Sequence, residues 1–282
     1  MGTTGLKRWL DEAGVRPSRR MGQCFLVDGS ILDRIAGEAR SLPGECLVEI
    51  GAGPGNLTER IADGSRPVVA LERDRRLAAL CGRRLSGRPG LTVIAGDALA
   101  LPLRRSLRGG GRIAVAGNIP YSITGEIVRT LAEDHPCVAR AALLVQEEVA
   151  SRLAARPGSR EYGAFTVLTG ARFDVARRLD VPASAFHPRP EVDSTLIVLS
   201  RPDDARVDPA LFPLMRSLVQ EAFRRRRKTL ENAVGPFLAG RGFPGGAAPA
   251  IAAAGLDPRQ RPETVALEGW VALAREAAAV AG

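Results

Sequence analysis

Between residues 28 and 200, short apolar runs of strand length alternate with longer stretches of helical period. Ile31, Ile35 and Ala39 recur at helical spacing. A helix is therefore expected from a cap at Asp28 or Ser30 to about Arg40. Pro43-Gly44 breaks it, and residues 46–50 then read as a buried strand running into a glycine turn. A helix opening at Asn56 or Thr58, a strand at 67–71, a helix at 74–85 and strands at 91–95 and 112–116 follow. Such alternation implies an α/β fold with a doubly wound parallel sheet across residues 1–200. The polar stretch 201–209, with Pro202 and Pro209, reads as a linker. Beyond it only helical patterns occur, at 211–223, 229–238, 247–254 and 264–279, which make residues 210–282 a small all-helical domain. Residues 1–27 are a basic segment, with Arg16, Arg19 and Arg20 close together, and the first twenty show no usable motif.

The candidate chemistry sits where the strands end. The first runs into Glu49-Ile50-Gly51-Ala52-Gly53-Pro54-Gly55. Glycines let the backbone turn tightly and approach a ligand, and the helix behind them offers unpaired N–H groups. Gly51, Gly53 and Gly55 are therefore candidate cofactor-binding positions. Glu72 follows Gly51 by 21 residues at a strand end, where a carboxylate can accept both hydroxyls of a ribose. NAD-binding enzymes share that device, so these features leave a dehydrogenase open. Asp97, in Gly96-Asp97-Ala98-Leu99, can accept the exocyclic amine of a cofactor's adenine or close an ordinary Asx-turn.

Asn118-Ile119-Pro120-Tyr121 narrows the choice. The amine of adenine is a poor nucleophile because its lone pair is delocalised into the ring. Acceptors at the Asn118 side-chain oxygen and the Ile119 carbonyl would take its two hydrogens and turn the lone pair toward a methyl donor. Pro120 holds those acceptors in place, and Tyr121 can stack on the base. Catalysis of this kind rests on proximity and orientation and needs no strong base. Phe186, in Phe186-His187-Pro188-Arg189-Pro190, is a candidate for the other face of the base, or a loop hydrophobe packed on the sheet.

Composition changes the picture in two respects. The net charge of +9 and the unbroken run Arg224-Arg225-Arg226-Arg227-Lys228 point to a polyanion, since each neutralised phosphate releases counterions. The run is read as covering every side of a helical turn, repelling itself unless a phosphate backbone relieves it. Two histidines, and four cysteines without C-x-x-C spacing, argue against a metal site or a disulfide framework and fit a reducing cytoplasm. No signal-like or membrane-length apolar run is expected, and a monomer is the expected state.

In order along the chain, several motifs resemble the rRNA adenine N6,N6-dimethyltransferases. They are Gly22-Gln23-Cys24-Phe25-Leu26, residues 49–58, Glu72, residues 96–99, residues 118–121, Gln146-Glu147-Glu148-Val149-Ala150, residues 186–194 and Arg226-Arg227-Lys228-Thr229-Leu230. The resemblance implies a Rossmann-like class I methyltransferase domain with S-adenosyl-L-methionine as cofactor. It implies cofactor contacts at Cys24, Leu26, Gly51, Glu72, Asp97 and Asn118, and a target-adenine site at Asn118, Pro120, Tyr121 and Phe186. It further implies that two adjacent adenosines near the 3′ end of 16S rRNA are each methylated twice on the 30S subunit, with the helical domain binding RNA. Cys24 departs from the family's usual Asn or His, so a backbone contact is what remains there. The Erm branch, which methylates 23S rRNA, shares residues 118–121 and the glycine turn. The Arg226 to Leu230 segment and the helical tail around Arg261-Pro262-Glu263 look more like the small-subunit branch. A non-catalytic ribosome-assembly factor that keeps the fold is a further alternative, against which the intact 118–121 motif and the cofactor acids argue.

Overall fold

The computed structural model describes residues 3–17, 23–100, 111–242 and 246–279. Arg19 and Arg20 lie outside the described residues. The chain opens with α1 (Thr3–Glu12), β1 (Phe25–Leu26), α2 (Gly29–Ser41), β2 (Cys46–Ile50), α3 (Thr58–Ile61), β3 (Val68–Glu72), α4 (Arg75–Arg84) and β4 (Leu91–Ala95). It continues through β5 (Ile113–Asn118), α5 (Thr124–Glu133), β6 (Val138–Gln146), α6 (Glu147–Leu153), α7 (Ala164–Gly170), β7 (Asp174–Val181), β8 (Phe186–His187) and β9 (Ser194–Ser200). Helices α8 (Phe212–Arg224), α9 (Leu230–Ala239), α10 (Ala247–Ala253) and α11 (Leu267–Ala279) follow.

Seven strands form one sheet in the order β4-β3-β2-β5-β6-β9-β7. From β4 to β6 every neighbour is parallel, and β9 runs antiparallel to both β6 and β7. The sheet is the Rossmann-like doubly wound arrangement expected. After β2 the chain winds outward through β3 and β4, then returns to the other side of β2 at β5. A crevice opens where the winding reverses, at the carboxyl ends of the strands.

The local elements follow from local chemistry. Asp28 caps α2, its Oδ1 accepting from the N–H groups of Ser30 at 2.9 Å and Ile31 at 3.0 Å. The buried face of α2 is Leu32, Ile35, Ala36 and Ala39, one position along from the expected Ile31. Helix α1 was not expected. Its Leu6 and Leu10 pack with Val15, Phe25 and Leu77, while Trp9 lies under the Arg84 guanidinium at 3.3 Å. The spacing of Leu6, Trp9, Leu10 and Ala13 is the helical signal that could have found it.

The chain divides into two compact units, and the division differs from a single cut near 201–209. One unit is Met1–Ala150 with Asp174–Arg201; the other is Ser151–Phe173 with Pro202–Gly282. Tyr162, Val167 and Ala171 belong to the same core as Leu218, Val234 and Trp270. The Tyr162 hydroxyl donates to the Val265 carbonyl at 2.8 Å, and its ring meets Phe223 edge-on. The expected linker is itself pinned. Val207 is fully buried in that helical core, and Arg206 donates to the Gly170 carbonyl at 2.8 Å. Polar composition misleads here because the Arg206 guanidinium donates to backbone carbonyls while Val207 enters the core.

Candidate active site

A cavity of about 460 Å³ opens at the carboxyl ends of β2, β3, β4 and β5. Cys24, Gly51, Gly53, Glu72, Asp97, Asn118, Pro120 and Tyr121 all line it, although they come from five separate stretches of chain. Three expected site residues do not. Gly55 turns away toward α4, where a Cβ would sit 2.9 Å from Cys81 Sγ. Leu26 is buried in the sheet core and lines a neighbouring void of about 30 Å³. Phe186 is 4% exposed and packs in that same core, so the expectation of a ring closing over a base is not met in this arrangement. The reason is the β1–β8 pairing, which sets Leu26 opposite Phe186.

The cavity's acids are held by backbone. Glu72 accepts from Gly53 N–H through Oε2 and from Asp74 N–H through Oε1, both at 2.8 Å. Its burial raises its pKa above the usual carboxylate range, against those two hydrogen bonds. Gly53 has φ +56, and a Cβ there would lie 3.1 Å from the Phe25 ring, so only glycine brings this N–H to Glu72 without strain. Asp97 accepts from Leu99 N–H at 3.0 Å, the Asx-turn considered above, and its other oxygen lies 3.7 Å from Arg73 Nε.

Asn118 ends β5. Its side-chain NH2 donates to the Cys24 carbonyl at 2.9 Å, so the amide oxygen is the end left to accept. Residue 24 thus contributes its backbone carbonyl to the placement of Asn118. Ile119 N–H donates to the Leu144 carbonyl at 3.1 Å, and Pro120 (φ −55) leads directly into a 3-10 turn over Tyr121–Ile123. The Tyr121 hydroxyl lies 2.7 Å from Ser194 Oγ. Burial raises the Tyr121 pKa, which keeps the phenol neutral.

Two further residues shape the site. Gly117 lies so close to β2 that a Cβ would collide with the Ile50 carbonyl. Glu49, 1% exposed, is pushed up to about 7 by burial, a shift that nearby Glu72 adds to and a Thr58 hydrogen bond opposes. Its Oε2 and Asn56 Oδ1 are buried without a protein partner, and both residues line the 30 Å³ void. A lone acid inside the apolar run Cys46-Leu47-Val48-Glu49-Ile50 was the available signal.

The arginine run lies in the helical unit, around a shallow basin of about 690 Å³. It does not wind round a helix: α8 ends at Arg224 and the rest form a turn. Nor is it free of acids. Glu221 pairs with Arg224 at 3.1 Å and Arg225 at 3.4 Å, and Glu263 pairs with Arg226 at 3.1 Å. Among the described residues, Arg227 and Lys228 have no carboxylate partner. No cluster of His, Cys, Asp or Glu able to hold a metal occurs among the described residues, and no helix there is long and apolar enough to cross a membrane.

Residues 16–243 match the sequence profile of the family described as ribosomal RNA adenine dimethylase. The chain belongs to the ribosomal RNA adenine dimethylase family. The small-subunit ribosomal RNA methyltransferase A of Geobacter sulfurreducens is a relative of this dimethylase, 38% identical over 95% of the chain and 98% of its own. That of Moorella thermoacetica is 39% identical over 94% and 93%. Among solved structures, a dimethyladenosine transferase from Plasmodium falciparum superposes with a TM-score of 0.74 at 25% identity, covering 88% of this chain and 95% of that one. The 23S rRNA methyltransferase ErmE gives 0.67 at 28%, covering 89% and 98%. As a member of the dimethylase family, the chain is an enzyme.

Proposed function

We propose that this dimethylase uses S-adenosyl-L-methionine to convert two adjacent adenosines near the 3′ end of 16S rRNA to N6,N6-dimethyladenosine, on the 30S subunit during its biogenesis in the cytoplasm. The observation that carries this reading is the Asn118 amide, tied to the Cys24 carbonyl with its oxygen end free, on the wall of the cavity beside Tyr121. The residues fit the cofactor. A cavity of about 460 Å³ suits a nucleoside-sized ligand, and Glu72 and Asp97 supply acceptors at adjacent strand ends. Bound there, S-adenosylmethionine supplies an electrophilic methyl group.

The chain's own residues would do the rest. Glu72 would take the ribose hydroxyls, Asp97 the adenine amine, and the backbone around Gly51 and Gly53 would approach the cofactor closely. Leu26 and Gly55 would act from behind the wall, by holding β1 and α4 in place. Asn118 Oδ1 and the Ile119 carbonyl would accept the target amine's hydrogens, with Pro120 fixing them and Tyr121 stacking on the base. Phe186 would reach the base only by leaving the core beside Leu26. Replacing Glu72 with Gln should weaken S-adenosylmethionine binding tenfold or more in calorimetry; unchanged affinity would remove Glu72 from the cofactor site.

A 16S target is favoured over 23S by the relatives named for the small subunit, which match nearly the whole chain at 36–40% identity. The direct test is tritium transfer from labelled S-adenosylmethionine to under-methylated 30S subunits, with naked 23S rRNA in parallel and nucleoside analysis of the product. Dimethyladenosine in the 30S sample alone is expected. Label confined to 23S rRNA would move the chain to the Erm branch, and label in neither would favour a non-catalytic assembly factor.

A further inference from the structure

Ser194 is fully buried at the first position of β9, in register with Gln146 of β6 and Val181 of β7. The residue before it is locked from two sides. Asp193 Oδ1 accepts from Ala183 N–H at 2.8 Å, and its carbonyl accepts from Glu147 N–H at 3.1 Å. A side chain so placed has little freedom, and its hydroxyl lies 2.7 Å from the hydroxyl of Tyr121. Tyr121 needs such an anchor. Its backbone is set by Pro120 and the 3-10 turn, but the ring on the cavity wall can still rotate about two side-chain bonds. A hydrogen bond at the far end of the ring removes that freedom.

We propose that Ser194 is a positioning residue for base methylation, holding the Tyr121 ring at a fixed tilt so that a target base meets a prepared stacking face. The last residue of the 186–194 motif thereby serves the 118–121 motif across the sheet. The proposal rests on the reading of Tyr121 as the base-stacking residue. A planar base stacks on a ring whose orientation is already fixed without ordering that ring on arrival, so the benefit falls on the productive complex and not on the cofactor.

The test is a double-mutant cycle on methylation of under-methylated 30S subunits, using S194A, Y121F and the two combined, with Y121A alongside. Each single variant is expected to lose about five- to tenfold in kcat. The pair is expected to lose no more than either alone, because both remove the same bond. Affinity for S-adenosylmethionine should stay within twofold of the parent in all three. S194T, which keeps the hydroxyl, should recover most of the rate. Were S194A to misfold, Y121F would still report the bond from its other end. An unchanged kcat in Y121F or S194A, or losses that multiply, would overturn the proposal. A normal rate for Y121A would instead sink the stacking role of Tyr121 itself.

Discussion

Glu49 is the residue whose environment and chemistry are most at odds. Its carboxyl is held at about 7 inside the fold, against 4.5 for the free side chain, so the folded state binds the proton more tightly. The associated stability is fully present below pH 4.5 and is lost as the pH rises through 7. Over that window the loss is about 3 kcal/mol. E49Q, uncharged throughout, should therefore show a much flatter thermal midpoint between pH 4.5 and 7, with buried Glu72 supplying what slope remains. The same slope in E49Q and the parent would mean that Glu49 is ionised in the fold. Single residues were legible where their chemistry depends on sequence position. Gly51, Gly53, Glu72, Asp97, Asn118, Pro120 and Tyr121 all reach the cavity because each lies at, or within three residues beyond, the carboxyl end of a strand. Phe186 and Gly55 did not, because whether a ring or a Cα faces a ligand or the core is set by cross-strand partners such as Leu26 and by α4.

At the scale of elements, the strands were read closely because buried parallel strands are short unbroken apolar runs. Strand β2 matched the expected bounds, while β3 and β5 ran one or two residues further toward the cavity. Those extra residues, Glu72 in β3 and both Gly117 and Asn118 in β5, are the ones that carry the site's chemistry to the crevice. Close approach of β2 and β5 depends on Gly117. G117A should lower stability by about 2–3 kcal/mol, because backbone on both sides must shift to admit one methyl group. Urea denaturation measures this, and an unmoved midpoint would show that the two strands part easily. Helix α1, with Lys7 and Arg8 balanced by Asp11 and Glu12, has only the short apolar pattern of Leu6, Trp9 and Leu10 as its signal in the sequence. The structure ties it to the glycine turn through Arg84, which lies on the Trp9 ring and donates to the Pro54 carbonyl.

For the whole molecule, charge is unevenly committed. Arg224, Arg225 and Arg226 are partnered by Glu221 and Glu263, leaving Arg227 and Lys228 as the cations of the run without a carboxylate among the described residues. If RNA binds this basin, replacing Arg227 and Lys228 together with Gln should flatten the plot of log affinity against log salt by roughly 0.7–0.9 per cation removed. Replacing Arg224 and Arg225 should change it less, and equal effects from the two pairs would mean that the acids do not hold their partners. The Glu221 pairs are local, at i,i+3 and i,i+4 spacing, but the sequence could not show the pairing of Arg226, since Glu263 comes from a distant turn. The division of the chain carries a consequence for inheritance. Because residues 151–173 sit within the helical unit's core, that unit is not a tail that can be exchanged by one crossover near codon 201. Such a recombinant would carry a helical bundle whose Tyr162, Val167 and Ala171 came from a different parent than its Trp270. Intact exchange of the bundle needs two coordinated segments, Ser151–Phe173 and Pro202–Gly282, in place of one.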